Sequence, residues 1–411
     1  MNAECLGLVC RDCGTQISEA EFKGKCPKCG AAMRVVFEPS SLKKALAGGF
    51  PAYSGKSYLW QWRSILPIAD EANIDRVSLG GIETPLLFSH RYGKELGIEN
   101  LYFKVEQGPT LSLKDRGSAM CVIKALEKGC DTVCLSSSGN NAASVSAYGT
   151  RAGLRAVVIV QKHVSPAKIF KSLAYGGRVV RIEGDMAMAS KVCGIMVKSR
   201  GWYQCGGPNP YRVCGKRTFA YGICQQLGKA PDTILIPCGG GAGMIAAWDG
   251  FRELFEAGLI DHMPRIVGVQ LEACNPTAQA FHAGKDAVTP IEKKPSLSDA
   301  IMNNNPFWGK YCLQAVRDTG GTMISVSDEE FLRTIRKLGQ TEALFTEPAG
   351  AVSVAALAKL VQMKGFENPG LTVCNLTGHG LNNPQVAMND DEYPETVQPT
   401  LEAVEAFLGN K

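Results

Sequence analysis

The feature that most constrains the fold of this chain is a regular alternation of short apolar strands with helical patterns, which begins near residue 82. Repeated strand–helix units predict a parallel sheet with helices on both faces. A chain of 411 residues is too long for one compact core, so we expect two doubly wound α/β domains. The predicted strands are 101–105, 132–135, 155–160, 178–182, 233–237, 265–270 and 371–376, and the predicted helices are 117–128, 142–152, 166–175, 187–199, 218–227, 243–257, 328–338 and 349–364.

The overall composition excludes several classes of protein. The net charge is 44 − 39 = +5, and the few basic residues near the N-terminus lack an aromatic stacking set, so a nucleic-acid-binding module is disfavoured. No apolar run approaches the ~20 residues of a membrane span, and the N-terminus has no signal-peptide pattern. We therefore expect a soluble cytoplasmic protein that binds neither nucleic acid nor membrane.

Four of the sixteen cysteines form two C-x2-C pairs, Cys10 with Cys13 and Cys26 with Cys29, and each pair is followed by glycine. Two such pairs favour tetrahedral Zn²⁺. About 30 residues cannot bury a sufficient core, so the metal would supply folding energy and its role would be structural. Free thiols or a redox pair are the alternatives. Most of the other cysteines have apolar neighbours and are typical of small buried hydrophobes.

Lys114 is the first candidate for a reactive group. It stands between small hydroxyl residues and an Asp-Arg-Gly turn in the segment 109–117. An ammonium is costly to bury, so most lysines stay in water. Lys114 is therefore either an ordinary residue of a first helical turn or a reactive amine, and its immediate neighbours do not decide between these two roles.

Two loops that follow predicted strands have the character of anion sites. Ser136–Asn141 places five polar residues before a helix, which is more than ordinary capping requires. The second loop, 238–243, contains consecutive glycines, whose backbone amides can surround a phosphate, although a flexible turn is the alternative. Neither the nucleoside-triphosphate loop pattern nor the dinucleotide pattern fits it.

A third loop, 377–380, places the Thr377 hydroxyl at a strand end and carries His379, which is more typical of a structural hydrogen-bonder than of a base. In open α/β sheets, ligands lie beyond the carboxyl ends of the strands, so the three loops converge there. An amine, a phosphate-binding loop, a carboxylate-binding loop and a terminal hydroxyl together suit pyridoxal 5′-phosphate.

The order of these motifs identifies a family. The chain resembles the threonine synthases among the fold-type II pyridoxal-phosphate enzymes, some of which also have a cysteine-rich N-terminal segment. The family motifs P-T-G-S-F-K-D-R-G, S-x-G-N-T-A-A-S, N-P-Y-R, E-P-A and T-G-H-G are matched by residues 109–117, 137–144, 209–212, 347–349 and 377–380.

The resemblance implies a tryptophan synthase β-like fold and a division into domains. A small mobile domain would close on the large one, expel water and protect the reacting carbon. The implied segments are a zinc-ribbon-like knuckle at 1–36, an N-terminal arm at 37–81, a large cofactor-binding domain at 82–117 and 218–390, the small domain at 118–217, and a C-terminal tail helix at 391–411.

The resemblance also implies a role for each matched position. Lys114 would bind the cofactor's aldehyde as an imine and then carry the proton. The remaining implied roles are Asn140 at the cofactor's 3′ oxygen, Gly239, Gly240, Gly241, Ala242 and Gly243 around its phosphate, Thr377 at the pyridine nitrogen, Ser137, Ser138 and Asn141 at the substrate carboxylate, and Thr110 and Arg212 toward the substrate's distal group.

The implied reaction converts O-phosphohomoserine and water into threonine and phosphate, and the family expectation is a homodimer. This chain differs from the family motifs at Leu111, Leu113, Asn141 and 206–207, and at two positions of the phosphate loop. Such differences favour as an alternative an elimination or replacement on a related amino acid, by a dehydratase, an ammonia-lyase or a cysteine-synthase-like enzyme. A non-catalytic homologue that binds a metabolite is the alternative outside enzymes.

Overall fold

Three β-sheets organise the chain. The computed structural model describes residues 2–51, 58–363, 366, 369–386 and 395–409. Within these residues no helix is both long and apolar enough to cross a lipid bilayer. The first sheet is small and antiparallel, with strand order β2-β1-β3, and consists of β1 Cys5–Cys10, β2 Gln16–Ile17 and β3 Met33–Phe37.

The largest sheet has six strands in the order β12-β11-β10-β13-β5-β4. All neighbours in it are parallel except β4, which pairs antiparallel with β5 at one edge. The strands are β4 Leu86–Phe88, β5 Leu101–Val105, β10 Thr233–Pro237, β11 Arg265–Leu271, β12 Thr322–Val326 and β13 Thr372–Leu376.

The third sheet is fully parallel and has four strands in the order β8-β7-β6-β9. It consists of β6 Thr132–Ser136, β7 Arg155–Gln161, β8 Arg178–Ile182 and β9 Tyr203–Gln204. All seven strands expected from the sequence are therefore confirmed, and the two parallel sheets agree with the expected α/β class.

The helices fill the intervals between the strands. Most of the eight helices that the sequence predicts differ from their expected bounds by one to three residues. The helix expected at 218–227 begins eight residues earlier. Residue 364, at the end of the last expected helix, lies outside the described residues. The helices are α1 Pro39–Ala45, α2 Ala72–Val77, α3 Tyr92–Leu96, α4 Lys114–Glu127, α5 Asn140–Arg151, α6 Pro166–Ala174, α7 Met186–Arg200, α8 Pro210–Leu227, α9 Ala242–Glu256, α10 Pro276–His282, α11 Gly309–Asp318, α12 Asp328–Glu342, α13 Pro348–Gln362 and α14 Leu401–Gly409.

The early start of α8 has a local cause. Asn209 caps the helix, because its side-chain oxygen accepts hydrogen bonds from the backbone amides of Tyr211 and Arg212 at 2.9 and 3.2 Å. Pro210 follows at the first helical position, where its fixed φ and missing N–H carry no penalty. This cap fixes Arg212 in the first turn of α8.

A buried network of charges supports the segment that begins at Lys114. The Arg116 guanidinium donates to Glu106 at 2.8 and 2.9 Å and also to Glu83, while the Lys104 ammonium donates to Glu83 at 3.0 Å. Burial alone would raise the pKa of Glu83, but the charges of Arg116 and Lys104 outweigh it and lower that pKa to about 2. The buried cations and carboxylates thus compensate one another, as buried charges must.

The small N-terminal sheet is docked on helix α9 through Arg11. Its guanidinium forms an ion pair with buried Asp249 of α9 and lies 5.6 and 5.7 Å from the ring centroids of Trp308 and Tyr311. Lys310 adds an ion pair to Asp12 at 2.8 Å. Because Arg11 lies between the two cysteines of the first pair, the geometry of that turn determines this contact.

Candidate active site

The candidate site lies where the loops after strands β5, β10 and β13 meet at one edge of the six-stranded sheet. Strand β13 lies between β10 and β5, so the loops after all three strands emerge side by side. The backbone amide of Leu113 donates to the Thr377 carbonyl at 2.9 Å, and Ser112 forms an isolated bridge with Gly378. Lys114 is therefore fixed beside the turn that carries Thr377.

The Lys114 side chain borders two cavities, of about 290 and 620 Å³. Burial lowers the pKa of its amine, the charge of Glu347 opposes this effect, and the charge of Arg212 reinforces it. A lysine whose pKa is lowered is more often neutral, and a neutral amine is the nucleophile that attacks a carbonyl group. Lys114 thus differs from an ordinary first-turn lysine, whose amine lies in water.

The smaller cavity, called here the glycine-loop cavity, is bordered by Lys114, Arg212, Lys216, Gly239–Gly243 and Thr377. A Cβ at Gly239 would lie 2.8 Å from the backbone of Ile301, and one at Gly241, whose φ is +90°, would lie 2.6 Å from the Cys312 sulfur. Side chains are therefore excluded from both positions. In the described part of the chain, the amides of Gly239, Gly240 and Gly241 have no hydrogen-bond partner.

The larger cavity, called here the serine-loop cavity, is bordered by Lys114 and by the loop from Ser137 to Asn141. The hydroxyls of Ser137 and Ser138 are half-buried and have no hydrogen-bond partner among the described residues. The Asn141 side-chain oxygen is buried without a partner. Unpaired polar groups at a cavity are available to bind a ligand.

A buried carboxylate beside Asn140 was not identified from the sequence as a site residue. Glu347 accepts from the amide groups of Asn140 at 2.7 Å and Asn382 at 3.0 Å through Oε2, while its Oε1 is buried without a partner. Burial raises the pKa of Glu347, and the charge of Lys114 opposes that effect. The E-P-A motif contained this residue, but only the fold brings it to Lys114 and Asn140.

Thr110 borders neither cavity. It is buried, its backbone amide donates to Asp115 at 2.7 Å, and its hydroxyl donates to the same carboxylate, which also accepts from Ser144 at 2.7 Å. Thr110 therefore supports the loop before Lys114 in this structure, and a substrate contact remains only a prediction for it.

His379 has a structural environment. Its Nδ1 accepts from the backbone amide of Leu381 at 3.1 Å, and its ring packs edge-on against Phe345 at 5.5 Å. This geometry agrees with the structural hydrogen-bonder expected from the sequence. A larger groove of about 720 Å³ lies elsewhere, between α3, α12 and α13, and it contains none of the expected site residues.

The four cysteines of the two C-x2-C pairs form a separate cluster. Their sulfur atoms all lie within 4.8 Å of one another, with Cys10–Cys29 at 3.4 Å and Cys13–Cys26 at 3.7 Å. A tetrahedral ion with bonds of about 2.3 Å to sulfur needs sulfur–sulfur distances of about 3.8 Å. The cluster therefore has the dimensions of a metal site.

Comparison with known proteins places the chain in a family. The family model described as "Pyridoxal-phosphate dependent enzyme" matches residues 77–378. The chain is 35% identical to the threonine synthase of Methanosarcina acetivorans over 98% of both chains. It is also 31% identical to the threonine synthase of Methanocaldococcus jannaschii, over 97% of this chain and 98% of that protein.

Solved structures show the same fold at low identity. Maize serine racemase superposes with a TM-score of 0.65 at 20% identity, covering 75% of this chain and 92% of that one. The processed form of threonine deaminase isoform 2 from Solanum lycopersicum has a TM-score of 0.62 at 21% identity, covering 76% of this chain and 88% of that one. The chain therefore belongs to the pyridoxal-phosphate-dependent enzymes, as a divergent member of the threonine synthase family, and it is a lyase that depends on this cofactor.

Proposed function

We propose that this enzyme converts O-phosphohomoserine and water into threonine and phosphate at Lys114. The observation that carries the proposal is the position of the buried Lys114 amine, between a cavity with unpaired loop amides and a cavity with unpaired hydroxyls. The near full-length likeness to curated threonine synthases supports the same reaction.

The glycine-loop cavity fits the cofactor. Unpaired amides of Gly239, Gly240 and Gly241 precede the 15-residue helix α9, whose N-terminus favours a phosphate group. The Thr377 hydroxyl, which has no partner among the described residues, suits the pyridine nitrogen. Gly241 and Gly243 have no side chain and Ala242 has only a methyl group, so the loop leaves room for a phosphate. Asn140 remains the proposed contact for the 3′ oxygen.

The chain's own groups then divide the chemical work. The bound cofactor supplies an electron sink that stabilises negative charge on the α carbon of the substrate. The Lys114 amine, whose pKa is lowered by burial, would remove the α proton of the substrate and hold it for later return. The Glu347 carboxylate, held by Asn140 and Asn382, opposes the effect of burial on the Lys114 amine and tunes its readiness to accept that proton.

The substrate is oriented by residues at two ends of the site, the serine-loop cavity and Arg212. Ser137, Ser138 and Asn141 have unpaired polar atoms at the serine-loop cavity, and we assign them to the substrate carboxylate. Arg212 borders the glycine-loop cavity, and its Nε is buried without a partner, so we assign it to the distal phosphate. Holding both ends fixes the reacting carbons next to Lys114.

We also propose that the four-stranded domain closes on the larger domain. The contact that supports closure is made by Lys171 of α6, which donates to the Thr110 carbonyl at 2.8 Å and to the Asn382 side chain at 2.7 Å. Closure over the serine-loop cavity would exclude bulk water, so that the only water to react is the one that adds to the substrate.

The function is tested by a product assay with phosphate release monitored. The candidates are O-phosphohomoserine, O-phosphoserine, O-acetylserine, O-acetylhomoserine, serine and threonine. Phosphate release from O-phosphohomoserine with equal formation of threonine is the expected result. Turnover of another substrate with none of O-phosphohomoserine would overturn the proposal.

An elimination or replacement on a related amino acid is the second candidate. The observation that favours it is Gly207, which lies at the glycine-loop cavity near Arg212 and offers no side-chain donor to a substrate phosphate. The same assay separates the two candidates, because a keto acid or a β-substituted product would appear in place of threonine.

Glu347→Gln is expected to shift the pH dependence of cofactor reconstitution to lower pH. Burial lowers the pKa of Lys114, and the Glu347 charge opposes it, so removal of that charge lowers the pKa further. The neutral amine that attacks the aldehyde is then present at lower pH. The measurement is the rate at which cofactor-free protein regains its visible absorption after pyridoxal 5′-phosphate is added, as a function of pH. Glu329→Gln, on an exposed face of α12, is the control, and an unchanged or raised midpoint in Glu347→Gln would contradict the assignment.

We assign Zn²⁺ to the four-cysteine cluster. The sulfur–sulfur distances of 3.4 and 3.7 Å and the all-thiolate donor set support it. Both turns are built alike: Gly14 and Gly30 have φ values of +69° and +74°, and each donates its amide to the carbonyl of the first cysteine of its pair. Four protein ligands leave no open coordination position, so the role is structural.

We further propose a homodimer in a reducing cytoplasm. Support for the dimer comes from the edge strand β4, where Leu87 and Phe88 are exposed near exposed Ile82. The free state of all sixteen cysteines supports the reducing compartment. Light scattering of the purified protein tests the first point, and a monomer mass would reject it.

A further inference from the structure

Helix α8 presents two cations to the glycine-loop cavity. Arg212 and Lys216 are four residues apart on the helix, so they share one face. Both border the cavity together with Lys114. The proposed function uses Arg212 for the substrate's distal group and leaves Lys216 without a role.

The crossing of α4 and α8 brings these side chains to the site. A Cβ at Gly117 of α4 would lie 2.9 Å from Cγ of Arg212 and 3.3 Å from Cε of Lys216. The two aliphatic stems thus pass over Gly117, where the helices can approach closely because it has no side chain. Gly117 is three residues after Lys114 on the same helix, so the two positions are neighbours on its surface. The Arg212 and Lys216 side chains therefore border the cavity beside the Lys114 amine.

Lys216 is buried without a compensating charge. Its exposure is 3%, and among the described residues its ammonium has neither a hydrogen bond nor an ion pair. Burial lowers the pKa of Lys216 well below its usual value, and the positive charges of Arg212 and Lys114 lower it further, with only the Cys121 thiol opposing them. The charged form of Lys216 is therefore costly in the folded protein unless an anion lies beside it.

Several other buried cations in the described chain have carboxylate partners. Arg217, the next residue along α8, pairs with Asp249 and Glu253, and Lys104 and Arg116 pair with Glu83. The contrast indicates that Lys216 is placed for an anion that comes from outside the chain. The Arg212 Nε, buried without a partner, indicates the same.

We propose that Lys216 and Arg212 together bind a phosphoryl dianion, distinct from the cofactor's phosphate at the loop amides, and that Lys216 makes the enzyme select a doubly charged leaving group. This inference rests on the proposed function, since it names the residue that recognises the phosphate of the substrate. It also predicts that neutral esters of the same amino acid bind poorly, because they leave two neighbouring cations without a countercharge.

The test uses the cofactor-loaded protein with inorganic phosphate as the probe. Lys216→Met removes the charge and keeps much of the stem. It is expected to weaken phosphate binding roughly 10- to 100-fold, the usual worth of a hydrogen bond to a charged group. The affinity of cofactor-free protein for pyridoxal 5′-phosphate is expected to change little. Unchanged phosphate binding would overturn the proposal, and so would a loss of cofactor affinity, because Lys216 would then serve the cofactor's phosphate.

Thermal stability separates a binding role from a structural one. Because Lys216 is a buried amine without a countercharge, Lys216→Met is expected to keep or raise the melting temperature of the protein while phosphate binding falls. A lower melting temperature would mean that Lys216 stabilises the fold, which contradicts the proposal. Lys216→Arg keeps the charge and is expected to retain phosphate binding. Lys191→Met, on an exposed part of α7, is the matched control and is expected to bind phosphate like the wild type.

Kinetics distinguish this inference from the proposed function. With O-phosphohomoserine, Lys216→Met is expected to raise KM more than it lowers kcat, and the visible absorption of the lysine-bound cofactor should persist. If the wild type forms no threonine but binds phosphate in a Lys216-dependent manner, the proposed function fails and this inference stands. If threonine forms and phosphate binding does not depend on Lys216, the proposed function stands and this inference fails.

Discussion

Lys114→Ala is expected to lower the rate of turnover at least about 10³-fold, because one amine performs two tasks. In the proposed function it holds the cofactor's aldehyde, and it also takes the α proton from the substrate. No other described lysine borders both cavities. Lys171 reaches only the serine-loop cavity and Lys216 only the glycine-loop cavity, so neither is placed to replace it.

The measurement combines kcat with the visible absorption of the reconstituted protein. Lys114→Ala should retain bound cofactor through the glycine loop but lose the absorption band of the lysine adduct. Its melting temperature should not fall, because removing a buried amine removes a desolvation cost. Lys191→Ala is the control and should behave as the wild type. A variant that kept both the band and a substantial rate would show that another amine is the reactive one.

Replacing Cys13 and Cys29 with serine is expected to unfold the N-terminal knuckle. Both side chains are exposed, so the change removes ligands with little loss of packing. Structural zinc contributes about 10–16 kcal/mol to the folding of small domains, and a segment of this size has no comparable apolar core to replace it. Metal content should fall from one ion per chain, and proteolysis should cut within residues 5–37.

The consequence should extend to the cofactor. Arg11, between the two cysteines of the first pair, forms the ion pair with Asp249 and stacks on Trp308. Trp308 in turn packs against the glycine loop, because a Cβ at Gly241 would lie 2.8 Å from the Cβ of Trp308. Unfolding the knuckle should thus weaken cofactor binding at the glycine loop. Cys5→Ser is the control, because Cys5 is exposed in the same sheet but lies outside the cluster. Full metal content in the double variant would reject these ligands.

Much of the site was accessible from the sequence because it consists of short local motifs. The glycine loop and the serine loop each follow a strand directly, and together with the Lys114 segment their composition suited a bound cofactor before any strand order was known. The two C-x2-C pairs were equally local. The strand Thr322–Val326 was missed, since its polar residues interrupt the apolar pattern on which the other assignments depended.

Glu347 and Lys216 illustrate what local patterns do not contain. Glu347 lies 233 positions from Lys114 in the numbering, and its effect on that amine depends on the placement of β13 between β10 and β5. Lys216 is one turn from Arg212, so a shared helical face could have been inferred from the spacing. The lack of a countercharge at Lys216 could not be inferred from the sequence, because it depends on which side chains α4 places around Lys216.

By itself the sequence determined the α/β class, the motif order that identifies the cofactor and the two cysteine pairs, because periodicity and motif spacing are properties of the local chain. Only the tertiary structure decided that Lys114 has a lowered pKa between two cavities, that Thr110 is directed to Asp115, and that Lys216 lacks a carboxylate partner. The physical reason is that burial and electrostatic energy depend on distances between groups far apart in the chain, which strand order and helix crossing set.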